Sequence, residues 1–108
     1  MSFHSVEATI RYLTTDEGGR RTGVASGYRG QFHYSGEDWP SDAIQQFPET
    51  IAGSMIELGT TVGVILLFPP DRWEEDHSER IFVGMPFEIR EGRKVVGRGV
   101  VTRLEVDA

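Results

Sequence analysis

A chain of 108 residues with 17 Asp and Glu against 11 Lys and Arg carries a formal net charge of −6, and it is long enough for one core and too short for two. The acidic balance repels phosphate backbones at long range, and the absence of cysteine excludes disulfides, thiolate catalysis and zinc–thiolate sites. Met1 to His4 shows no basic segment followed by an apolar run, and the longest apolar stretch, Val64 to Phe68, falls far short of a membrane span. The expectation is one domain over 1–108, cytoplasmic, with no membrane contact.

Val6, Ala8, Ile10 and Tyr12 alternate with Glu7, Thr9 and Arg11, the period of a half-buried strand. Thr14 to Gly19 reads as a polar turn closed by glycine. Gln31 to Tyr34 is a second short strand, ended by Ser35-Gly36, and His33 within it is expected to face solvent or pair across the sheet. Ser41 to Ile51 places Ile44, Phe47 and Ile51 at roughly helical spacing, with Pro40 and Pro48 limiting any helix to about two turns. Val62 to Phe68 is a β-branched core strand stopped by Pro69-Pro70. Asp71 to Glu79 reads as an acidic loop carrying Trp73. Met85 to Arg90 is a further strand, turning at Glu91-Gly92. Lys94 to Val106 is a long last one, with Gly97 and Gly99 as bulge or close-approach points. Short strands joined by turn residues predict a small all-β barrel.

Catalytic chemistry finds no constellation. The sequence holds no Gly-x-x-x-x-Gly-Lys-Ser/Thr loop for nucleotide phosphates. His4, His33 and His77 share no metal-ligand spacing. The Asp71–Glu79 carboxylates lack the central glycine and the ligand spacing of a calcium loop. The serines lie outside any nucleophile elbow. No cofactor, metal or nucleotide is expected, and the chain is read as not an enzyme. Gly18-Gly19-Arg20-Arg21 is the richest local signal, because paired glycines allow close backbone approach and arginines bond phosphate or carboxylate in a fork. A solvated turn would use the same residues.

Four blocks in order carry a family resemblance. They are Asp16-Glu17-Gly18-Gly19-Arg20, Gly27-Tyr28-Arg29-Gly30-Gln31-Phe32, Phe87-Glu88-Ile89-Arg90-Glu91-Gly92, and Val96-Gly97-Arg98-Gly99-Val100-Val101. They resemble the third, C-terminal domain of bacterial translation elongation factor Tu, whose matching segments read DEGGR, GYRPQF, FAIREGG and VGAGVV. The resemblance runs from about Val6 to Leu104. It implies a six-stranded antiparallel β-barrel with a short irregular or helical insertion, standing without the family's GTPase domain. It also implies that positions matching Arg20, Arg29, Gln31, Glu91 and Gly92 lie at or near the tRNA-contact surface, with Tyr28 and Arg90 matching the same pattern.

The departures are as informative. Gly30 stands where the family has proline, Glu88 where it has alanine, Arg21 where it has histidine, and Arg98 where it has a small residue between two glycines. Ser35 to Trp39 replaces a segment carrying tRNA-contacting threonines, and the stretch between Phe68 and Phe87 is longer. The implied function is a noncatalytic binding module without GTPase activity of its own. It would engage a protein partner, translation machinery included, through Arg20, Arg21, Tyr28, Arg29, Gln31, Arg90, Glu91, Gly92 and Arg98, with Trp73 as a protein contact if exposed and otherwise a cover for the barrel end. The alternative is an RNA (tRNA)-binding module on the same face, which the acidic charge, Glu37 and Asp38 disfavour.

Overall fold

Period-two burial governs the chain from its first strand. Along β1 (His4–Tyr12), Val6, Ala8, Ile10 and Tyr12 are all buried. After a single 3-10 turn (Thr15–Glu17) come β2 (Gln31–Tyr34), β3 (Ile44–Gln46) and β4 (Thr61–Phe68). In β4 it is Val64, Leu66 and Phe68 that point inward. β5 (Pro86–Glu91) and β6 (Lys94–Arg103) form the last hairpin. The computed structural model describes residues 3–48 and 55–104, and its strands form one antiparallel sheet in the order β2-β5-β6-β1-β4-β3.

The two edges of that sheet do not stay apart. Phe32 of β2 and Ser41 exchange two backbone hydrogen bonds of 2.9 Å, and Tyr28 bridges Gln45 of β3. The sheet therefore curls round into a half-barrel, consistent with the expected six-stranded barrel, and isolated bridges rather than a continuous ladder draw its two edges together. Phe32 fills the centre, with ring centroids 5.2 Å from Phe68, 5.3 Å from Phe87 and 5.3 Å from Tyr34. Two register shifts put extra residues on β6 at Val96 and Thr102. One bulge thus lies beside Gly97 and the other three residues past Gly99, neither at a glycine, and Gly99 is a close-approach point.

Three local expectations are corrected. The helix expected within 41–51 is absent from its described part, which instead forms β3. Ala43, Gln45 and Phe47 are the inward residues, and Ile51 lies outside the described residues. A period-two strand was hidden there because the middle inward residue is polar. Gln45 is fully buried, accepting from the Tyr12 hydroxyl at 2.8 Å and donating to the carbonyls of Gly30 and Ala43 at 3.0 Å each. The helical insertion lies instead at Pro70–Arg72, running on as a π-helical turn over Trp73–His77, where an acidic loop was expected. Proline at its start has no lost N–H to satisfy, and the turn buries His77 while its acids stay in water. His33, in turn, is buried rather than solvent-facing. It sits opposite Glu88, and its Nδ1 is 2.9 Å from the Glu37 carbonyl. Consecutive residues of β2 and β5 are buried because segment 35–42 covers their outer side.

His77 gives this end of the barrel a pH dependence. It lies against Phe32 and Phe68, its Nδ1 is 2.6 Å from the Tyr34 hydroxyl, and its Nε2 has no partner. Burial is the largest influence and pushes its pKa below the ordinary 6.5, while the neighbouring Asp76 carboxylate pulls the other way. The unfolded chain thus takes up a proton that the folded one resists. Stability from this group is complete above 6.5 and is lost as pH falls toward the lowered native value, at up to about 1.4 kcal/mol per pH unit. Urea midpoints of wild type should drop between about pH 7.5 and about pH 5.5, and His77→Phe should show a smaller drop. Equal drops in both proteins would place the titration elsewhere.

Candidate partner-binding face

The first turn positions Arg20. Thr14 caps it reciprocally with Glu17, Gly18 closes it at φ 89°, and a Cβ on Gly19 would sit 2.6 Å from the Leu13 carbonyl carbon. Both glycines are therefore demanded by the fold itself. Beyond them Arg20 reaches the Glu91 carboxylate and lies 4.9 Å from the centroid of the Tyr28 ring, whose hydroxyl also donates to Glu91. Glu91 is presented by the β5–β6 hairpin, which turns at Gly92 with φ 63°. Partial burial raises the pKa of the Glu91 carboxyl, but the Tyr28 hydroxyl and the Arg20 guanidinium outweigh it and leave the pKa below the usual carboxylate range. Burial, with Glu91 adding to it, pushes the Tyr28 hydroxyl well up. At neutral pH this is a charged carboxylate held between a neutral phenol and a guanidinium.

A second cluster lies along the same strand. Glu88 accepts from Arg90 Nε at 3.0 Å and Nη2 at 2.7 Å, and from Arg98 Nη1 at 3.1 Å. Arg90 Nη1 also reaches Asp38 at 3.1 Å. Glu88 faces Arg98 in the β5–β6 register, and Gln31 faces Arg90 across β2–β5. The side chains of Glu88 and Arg90 are only 9% and 12% exposed, whereas Arg98 is 58% exposed.

Strand alternation separates the two clusters. Glu88 and Arg90 share one face of β5, whereas Glu91 follows Phe87 and Ile89 on the core-facing side, at the mouth of the barrel. The structure thus brings Arg20, Tyr28, Glu91 and Gly92 together at the mouth, and Gln31, Arg90 and Arg98 along the outer wall. It does not gather Arg20, Arg21, Arg29 and Arg98 into one patch. Arg21 is exposed and makes no ion pair among the described residues. Arg29 is also exposed and borders a separate cavity of about 330 Å³ with Phe3, Asp42, Pro69 and Pro70.

Trp73 is a cover rather than an exposed anchor. Its ring stacks on His4 at 3.7 Å and 12°, and lies 5.7 Å from Phe68. The exposed tryptophan is Trp39, at 79%; its place between Glu37-Asp38 and Pro40, in a segment with no apolar alternation, was the available signal. No group of three or more His, Asp or Glu side chains among the described residues is arranged to hold a metal. No helix among them is long and apolar enough to cross a membrane. Compared with known families, residues 1–105 match the model described as the elongation factor Tu C-terminal domain.

Proposed function

We propose a binding rather than a catalytic role from one premise: the chain belongs to the elongation factor Tu C-terminal domain family. In our reading it is a noncatalytic module, without GTPase activity, that engages a protein partner associated with translation. The observation that carries the choice of a protein over RNA is the pairing of the arginines. Arg20 is spent on Glu91, and Arg90 and Arg98 on Glu88. A face whose cations already hold carboxylates releases few counterions on meeting a phosphate backbone, so it gains little from RNA. It still offers a rigid, alternately charged surface with Tyr28 at its mouth, which suits the polar rim of a protein interface.

Retention of Arg20, Arg29 and Gln31 supports tRNA as the second reading. Capture of partners from a lysate of the source by the tagged chain, at low and moderate salt, tests both. A specific protein retained at moderate salt, and lost from Arg20→Ala/Arg29→Ala, supports the protein reading. The double variant should weaken that partner by about tenfold, the scale of losing one charge-assisted hydrogen bond. Recovery of tRNA that vanishes with salt would replace the first reading with the second. Unchanged affinity in the double variant would move the site off this face.

A further inference from the structure

Segments 35–42 and 70–80 pack on one another. Arg80 Nη2 donates to Glu37 Oε2 at 2.7 Å, and its guanidinium lies 3.8 Å over the Tyr34 ring. Between the segments runs an open groove of about 390 Å³, lined by Trp39, Pro40, Asp42, Arg72, Asp76 and Gln31. Trp39 forms its one aromatic wall and stacks on no other ring among the described residues.

The charge of the whole chain is concentrated here. The two segments contain eight carboxylates and two arginines, a net of −6, while the remaining nine Asp and Glu balance nine Lys and Arg. Both of the local arginines are already occupied, Arg72 by Asp76 and Arg80 by Glu37. Asp42 keeps no cationic partner among the described residues. An indole face beside Asp42, the groove-lining carboxylate without an ion pair among the described residues, in a part of the chain with net negative charge, attracts cations twice over, by the ring quadrupole at contact and by the local potential at a distance.

We propose that this groove docks a basic peptide segment of a protein partner, with an arginine or lysine side chain laid over Trp39 and its charge toward Asp42. The site goes beyond the arginine face described above, carries the opposite charge and uses none of its arginines. Polyanions are repelled by the same carboxylates, and an apolar segment would leave the groove's polar walls without partners.

The test is fluorescence anisotropy of the full chain with a labelled dodecapeptide of alternating arginine and glycine, against the same peptide with glutamate for arginine, at moderate salt. The arginine peptide should bind in the micromolar range and the glutamate peptide should not. Trp39→Ala should weaken binding by about tenfold. Asp42→Asn should weaken it several-fold, whereas Asp16→Asn, an equal change of net charge at an exposed position far along the chain, should leave it unchanged. Trp39 is exposed, so folding is not at stake, and a thermal melt of each variant confirms it. Retained binding in Arg20→Ala separates this groove from the arginine face. Undiminished binding in Trp39→Ala, equal losses in Asp42→Asn and Asp16→Asn, or no binding of the arginine peptide overturns the proposal. Trp39-dependent self-association in sedimentation would do so as well, by making a second copy of the chain the occupant.

Discussion

A single methyl group added at Gly99 should destabilise the barrel by about 3 kcal/mol, the upper end of what overpacking a well-filled core costs. Gly99 lies in β6 opposite Ile10 of β1 and Phe87 of β5. A Cβ there would stand 2.5 Å from the Thr9 carbonyl oxygen and 2.8 Å from Phe87 Cε2. Neither obstacle can move cheaply. Thr9 belongs to a strand paired on both sides, and the Phe87 ring is locked against Phe32 at 5.3 Å and 26°. Alanine at Gly63 is the control, since a Cβ there meets open space and the strand position is exposed. Urea unfolding should show a much lower midpoint for Gly99→Ala and a nearly unchanged one for Gly63→Ala. Similar midpoints in the two variants would mean that close approach is not why glycine occupies position 99.

Most of the barrel was legible because its strands follow the simplest code available. β1 and β4 alternate inward apolar residues without interruption, and glycine or proline marks nearly every turn. The misreadings occur where a polar residue is buried with its bonds satisfied. Gln45 breaks the alternation of β3, so Ile44 and Phe47 look helical. His77 hides the packing face of a turn that otherwise shows only carboxylates. Trp73 and Trp39 both sit among acids in the sequence, and although the lack of apolar alternation around Trp39 hints at its exposure, nothing local to Trp73 shows that it is covered. That is decided by the His4 ring at the far end of the chain. The departures from the family pattern were visible one by one, but only the register and the packing pair them. Glu88 stands across from Arg98, and Glu37 meets Arg80. The charges introduced at positions 88, 98 and 37 each have a counter-charge on a neighbouring segment.

That pairing sets the second large effect. Glu88→Ala restores the residue of the family pattern, yet it should cost about 2–3 kcal/mol, because it leaves the nearly buried guanidinium of Arg90 without its main partner. The remaining contact, to Asp38, is to a side chain 99% exposed, and such pairs contribute little. Arg98→Ala should cost less than about 1 kcal/mol, since a half-exposed guanidinium leaves only a satisfied carboxylate behind. In the double variant the two losses should not add, because once Glu88 is gone Arg98 has nothing left to pair with on that face. Urea midpoints of the two single variants and the double variant close this cycle; strictly additive losses would show that Glu88 and Arg98 do not stabilise one another. Arg90 also ties Asp38 to β5, so Glu88→Ala should loosen segment 35–42 locally. Faster amide exchange at the backbone bonds Phe32–Ser41 and Glu37–Tyr34 would register that release before global unfolding does. The buried ion pair thus holds two things at once, the outer wall of the arginine face and the neighbouring strap that carries Trp39.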